Sequence, residues 1–197
     1  MLNRKVFKNG IYHVYNRGNK KQPIFLDDRD YERFLDRLDT FRRQTRDQIA
    51  QYCLLPNHYH LIVKASGMYS ISRLIKKLQT SHSMYMNWKY GFVGSFFQQR
   101  FKSKLVGTDI QLKVLSRYVH RNPIEFFGDP TVLQSYPYSS YNSFVSGIFR
   151  DNPITGSSKK LVLGYFASVS EYEEFVRADE LIVQSELRNQ VMSIQGL

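Results

Sequence analysis

Two short apolar runs, Gln48–Leu55 and His58–Ala65, stand back to back with only Pro56-Asn57 between them. That dipeptide has turn chemistry, so the pair predicts a hairpin of two antiparallel strands. On its N-terminal side Tyr31, Phe34, Leu35, Leu38 and Phe41 recur at helical spacing behind Asp27 or Asp28, either of which can cap the helix. On its C-terminal side Ser70 opens a second helical pattern with Ile71, Leu74, Ile75 and Leu78, continuing to about Tyr90 before Gly91. Outside these lie two more strand patterns. Ile11–Arg17 mixes β-branched, aromatic and polar residues and ends at Gly18, and Phe97–Val106 alternates Phe101, Ser103 and Leu105 with Arg100, Lys102 and Lys104. The order strand, helix, strand, strand, helix, strand predicts an α+β fold of the ferredoxin-like, split βαβ kind: a four-stranded antiparallel sheet with two helices on one face.

A third helix starts at Asp109 and is expected to end near Asn122, because Pro123 disfavours helical geometry before it and has no N–H to donate. Residues 129–197 begin with SYPYSSYNSF, pass a Gly/Ser/Asn/Pro loop around 146–158, and show helical patterns near 170–177 and 179–192. With 197 residues in all, the expected organisation is a main domain over 1–128 and a helical appendage over 129–197, packed on that domain. A single cysteine, Cys53, excludes an intrachain disulfide and any multi-cysteine metal site, and fits a reducing cytosol. The first 21 residues lack the apolar stretch of a secretory signal, and no window has the length to cross a bilayer, so a soluble protein not exported by that route is expected.

The formal charge of +11 is unevenly placed. Through Gly128 there are 23 lysines and arginines against 9 acids, whereas residues 129–197 hold 5 against 8. From Lys64 to Arg121 the single acid is Asp109, set among basic and aromatic residues. Such a segment suits a phosphate backbone with bases to stack on, and it favours a polyanion over a merely solubilising surface.

Chemistry is concentrated at two places. His58-Tyr59-His60 lies on a predicted strand, so both imidazoles point to one face about 6 to 7 Å apart, within reach of one divalent ion. By itself the pattern serves equally as two satisfied surface histidines. On the third helix Tyr118 and Asn122 are four apart and share a face, and Arg117 and Arg121 form a second such pair beside them. A tyrosine oxygen can attack phosphorus when a cation offsets the charge developing on the other oxygens. A tyrosine packed in the core is the competing reading of Tyr118.

The stretches YHVYNRGN at 12–19, LLPNHYHLIV at 54–63, FQQRFKSKLV at 97–106, RYVHRNPI at 117–124 and YPYSSY at 136–141 resemble, in the same order, the HUH single-strand transposases of the insertion-sequence-200-like class. The resemblance is strongest to the REP-associated tyrosine transposases and spans most of residues 10–145. It implies that His58 and His60 are paired metal ligands, that Asn122 completes the metal site, and that Tyr118 is the nucleophile. It also implies Mg²⁺ or Mn²⁺, cytoplasmic action on hairpin-bearing single-stranded DNA, a covalent 5′-phosphotyrosine intermediate and a homodimer. Two positions depart from the family pattern: Tyr59 replaces a plain hydrophobe, and Asn122 stands where better-known members use glutamine.

Arg17, Asn19, Lys20, Arg100, Lys102, Lys104, Arg117 and Arg121 are expected DNA contacts. His13 reads as a structural histidine on the first strand, His120 lies around the helix from Tyr118, and His82 is expected on a helix surface. Trp88, Phe96 and Phe97 suit either base stacking or the core. The reading that unites these features is a metal-dependent strand transferase. A noncatalytic single-strand binder and a metal-dependent phosphoesterase without a covalent intermediate are the alternatives.

Overall fold

The alternating patterns become four strands: β1 (Ile11–Arg17), β2 (Gln48–Leu55), β3 (His58–Lys64) and β4 (Lys102–Val106). The computed structural model describes residues 6–146 and 154–178. The sheet order is β2-β3-β1-β4 with every neighbouring pair antiparallel, which is the predicted split βαβ topology. The Pro56-Asn57 turn sets the register, opposing Leu55 to His58 and Cys53 to His60. Helix α1 (Asp28–Thr45) begins at a capping box, with the Asp27 side chain accepting from the Asp30 N–H and Asp30 reaching back to the Asp27 N–H. Helix α2 (Ser70–Tyr90) ends at Gly91, whose φ of 69° is the left-handed conformation that a helix end asks of glycine.

Strand alternation divides the molecule into layers. Tyr59, Leu61 and Val63 are fully buried on one face, where Tyr59 packs on Phe34 of α1 and accepts a hydrogen bond from Gln79 of α2. That placement accounts for tyrosine between the histidines. His58 and His60 point to the opposite face, which is covered by α3 (Asp109–Phe127). The helix carrying Tyr118 therefore lies across the sheet from α1 and α2.

Three expectations need correction. Helix α3 does not stop at Asn122; it runs through buried Pro123 to Phe127 and is closed by Gly128, whose N–H donates to the Ile124 carbonyl. Pro123 removes the donor that the Val119 carbonyl would use, but burial in the core and the intact turn beyond it keep the helix continuous. Strand β4 starts at Lys102 and not at Phe97. The Asn16 side chain takes the Gln99 carbonyl at 2.9 Å, and the stretch before Lys102 joins β1 through a lone Gly18–Phe97 bridge and a Gln98-to-Arg17 hydrogen bond. His82 is buried, not on a surface, with its Nε2 2.6 Å from the Ile24 carbonyl. Phe96 and Phe97 are core, whereas Trp88 is 84% exposed.

The aromatic and serine-rich stretch forms two short helices, α4 (Val132–Ser135) and α5 (Tyr141–Val145). The expected loop gives way to α6 (Gly156–Leu163), capped by Thr155, and α7 (Val169–Arg177) follows. The helical pattern at 179–192 lies outside the described residues. These elements are knitted to the sheet edge and to α3: Leu54 N–H donates to the Tyr138 carbonyl, Ser140 N–H to the Tyr52 carbonyl, and the Tyr136 hydroxyl to the Leu54 carbonyl. Tyr141, Phe144, Val162 and Tyr172 share one apolar cluster with the sheet. Among the described residues no helix is long and apolar enough to cross a membrane.

Candidate active site

Two residues along β3 advance about 6.6 Å, and four residues along α3 advance about 6 Å. Strand and helix therefore stay in step where they face each other. The Tyr118 ring meets the His60 imidazole edge-on with centroids 5.3 Å apart. One turn further, the Asn122 amide interacts with His58, and one turn beyond that Phe126 lies 5.9 Å from the His58 ring. All four residues of the expected centre, His58, His60, Tyr118 and Asn122, come together within one chain.

Each imidazole is held through its Nδ1. His58 Nδ1 lies 2.6 Å from Asn57 Oδ1, an oxygen that can only accept, so Nδ1 carries the proton and Nε2 keeps its lone pair. His60 Nδ1 lies 2.9 Å from His13 Nε2. His60 is wholly buried and its Nε2 has no hydrogen-bond partner. Burial lowers the His58 pKa to about 4, against the raising effect of the Asn122 hydrogen bond and with a smaller lowering effect from the Arg17 charge. Burial likewise holds His60 well below its ordinary range, and the neighbouring His13 and His58 add to this. His13 is lowered to about 3 by burial and then by Lys104. All three rings are neutral at neutral pH, the form in which imidazole ligates a metal.

The Tyr118 phenol is raised to about 12, chiefly by burial, while hydrogen bonding to Asn122 acts in the opposite direction. The side chain is half-buried, unlike the fully buried tyrosines Tyr59, Tyr141 and Tyr172. Asn122 is fixed by its own helix, its Nδ2 donating to the Tyr118 carbonyl at 2.7 Å. Among the described residues no group of three His, Cys, Asp or Glu side chains could hold a metal.

A cleft of about 390 Å³ opens beside His58 and His60, with Arg17, Arg100 and Lys102 on its walls and Phe126 at its edge. The late start of β4 shapes it, because the loop before Lys102 contributes Gln98, Gln99 and Arg100 to the lining. Lys102 lies over the Tyr15 ring at 5.8 Å, and Lys104 acts electrostatically on His13, so both β4 lysines serve this face. Lys20 is exposed and Asn19 half-buried on the turn after β1.

Arg117 and Arg121 are not on this surface, contrary to expectation. Arg117 is 4% exposed and bonds the Phe175 and Ala178 carbonyls, and Arg121 bonds the Val176 carbonyl. They seat the C-terminal end of α7, where helix carbonyls lack partners and cations are favoured. His120 is also structural, bridging Ser140 and Tyr172 inside the core. Sequence reasoning did not single out Asn57 or Phe126. Asn57 had a signal in its position next to His58, whereas Phe126 was hidden by the expected helix end at Pro123.

The geometry defines an α+β protein in which an imidazole pair lines a basic cleft and meets a phenol and an amide from the helix across the sheet face. The profile described as IS200-like transposase matches residues 6–122, and the chain belongs to that family. In fold it is similar to a REP-associated tyrosine transposase solved bound to a REP hairpin, with TM-score 0.63, 16% identity, and coverage of 76% of this chain and 88% of that one. A candidate transposase from Deinococcus radiodurans matches at TM-score 0.43 and 14% identity, covering 60% of this chain and 95% of that one. A bacterial tRNA(His) guanylyltransferase-like protein in complex with GTP matches at TM-score 0.41 and 11% identity, covering 64% and 69%. No curated protein matches by sequence.

Proposed function

We propose that this member of the IS200-like transposase family cleaves and rejoins hairpin-bearing single-stranded DNA through a covalent 5′-phosphotyrosine on Tyr118. His58 and His60, through their Nε2 atoms, and Asn122, through its amide oxygen, would hold Mg²⁺ or Mn²⁺. The observation that carries the reading is the meeting of the Tyr118 ring with His60, one helical turn from the Asn122 contact with His58. The residues fit such an ion. Both Nδ1 atoms are engaged, and His60 Nε2 is a buried nitrogen without a partner. When bound, a divalent ion polarises the scissile phosphate and offsets charge on its non-bridging oxygens.

The chain's own residues supply the rest. Arg17, Arg100 and Lys102 bind phosphates on either side of the scissile bond and orient it. The Tyr118 oxygen forms the new bond to phosphorus, the bond from phosphorus to the 3′ oxygen breaks, and that oxygen leaves as a hydroxyl. A phenol raised to about 12 holds its proton in the resting protein, so proton loss accompanies attack. The phosphotyrosine keeps the energy of the phosphodiester for rejoining. A homodimer acting in the cytoplasm completes the proposal, and sedimentation of the purified protein tests the dimer.

The deciding experiment incubates the protein with 5′- and 3′-labelled hairpin DNA and Mn²⁺, and looks for a denaturant-resistant protein–DNA adduct. The expected result is an adduct in wild type that is lost in both Tyr118→Phe and His58→Ala. Cleavage persisting in Tyr118→Phe would point to a phosphoesterase, and binding without cleavage to a passive single-strand binder.

A further inference from the structure

His13 is the buried polar side chain beside the site that the proposed chemistry leaves without a role. It is 2% exposed on β1, and its ring stacks on His60 at 5.1 Å and 18° while Tyr15 supports it at 4.6 Å. The register opposes Tyr15 to His60 and His13 to Ile62, so His13 is the diagonal neighbour of His60 on the same face. Its Nε2 faces His60 Nδ1 at 2.9 Å, and its Nδ1 has no partner. When Nε2 of His13 accepts from His60, Nδ1 carries the ring's proton and has no lone pair to offer an ion held between His58 and His60.

Two neutral imidazoles joined by one hydrogen bond place a single proton between the facing nitrogens. Were it on His13 Nε2, His60 would carry its own proton on Nε2 and have no lone pair there. When it is on His60 Nδ1, Nε2 is open to a ligand, as it is for His58 with its acceptor Asn57. Resting on the metal reading above, we propose that His13 is a positioning residue: its Nε2 accepts the His60 Nδ1 proton and so fixes the tautomer and ring orientation in which His60 Nε2 faces the ion. A neutral acceptor does this without adding negative charge beneath a phosphodiester, which a carboxylate in the same place would do. Partners of this kind orient metal-binding histidines and raise their basicity.

The test reads the tautomer and the metal, not only turnover. In histidine-¹⁵N-labelled wild type saturated with Mg²⁺, long-range proton–nitrogen correlation is expected to show His60 protonated at Nδ1 and bare at Nε2. In His13→Phe, which keeps a ring but no acceptor, Mn²⁺ affinity measured by electron paramagnetic resonance is expected to fall by roughly 10- to 100-fold. His13→Gln, whose side-chain oxygen can accept the same proton, is expected to recover most of it. His60 protonated at Nε2 in the loaded wild type, or unchanged Mn²⁺ affinity in folded His13→Phe, would overturn the inference. The wild-type spectrum decides even if the phenylalanine variant does not fold. His58→Ala separates the two levels: if it too leaves Mn²⁺ affinity unchanged, the metal reading fails; if it alone loses Mn²⁺, only the role of His13 fails.

Discussion

The Asn122 amide nitrogen donates to the Tyr118 carbonyl at 2.7 Å, which turns its oxygen away from the helix and toward His58 and the phenol. On the proposed reading, truncation removes a metal ligand and the amide that joins Tyr118 to His58. Asn122→Ala is expected to lower Mn²⁺ affinity roughly tenfold or more, with a cost to stability of about 1 kcal/mol. A metal titration and a melting curve check the two parts, and unchanged metal affinity would remove Asn122 from the ligand set. Asn122→Gln, one methylene longer, is expected to retain adduct formation. The pairing of Tyr118 with Asn122 was legible because a four-residue spacing fixes a shared helix face. The same spacing misled for Arg117 and Arg121. It says which residues share a face and is silent on what that face meets, here the carbonyls of a helix more than fifty positions away in sequence.

Helices α1 and α2 are tied by Asp30, whose wholly buried carboxylate accepts from the Leu26 and Asp27 N–H groups, the Lys89 ammonium and the Tyr85 and Tyr90 hydroxyls. Burial alone would raise its pKa, but Lys89, the two backbone donors and Tyr90 together hold it at about 2. The depressed value means that Asp30 contributes stability above its ordinary 3.8 and loses it as pH falls from there toward about 2. Asp30→Ala is expected to cost about 3 kcal/mol at neutral pH, and to flatten the stability profile across that acid window when unfolding is followed by circular dichroism. Arg117→Ala is expected to destabilise by about 1.5 to 3 kcal/mol through the lost charged hydrogen bonds to α7, and to speed proteolysis beyond Phe166. At this scale α1, α2, β2 and β3 were legible because their periodicity and end signals agree. The end of α3 and the start of β4 were not. Proline was outweighed by packing that a sequence does not display, and β4 was shortened by an Asn16 side chain from 83 residues earlier.

Across the whole molecule the cations of the first 128 residues take different settings, with Lys89 paired to Asp27 and Asp30. Arg17, Arg100 and Lys102 border the cleft next to the histidines, whereas Arg117 and Arg121 are consumed in holding α7. Lys102→Ala is expected to weaken single-stranded DNA binding and to reduce the slope of log affinity against log salt by about 0.7 to 1. Arg117→Ala at a temperature where it stays folded is expected to leave that slope unchanged, and binding isotherms at several salt concentrations distinguish them. The concentration of cations in the first 128 residues was legible from composition. Which cations remain outward-facing was not, because that depends on where the last helices dock.

The equal stride of β3 and α3 makes the pairing of Tyr118 with His60, and of Asn122 with His58, depend on the length of chain between them. One residue inserted between Tyr118 and Asn122 would swing the phenol about 100° around the helix relative to the amide, and no rotamer could bring it back. Descendants of this chain keep the side-chain amide if glutamine replaces asparagine there, but an added or missing codon within that turn extinguishes the site at once.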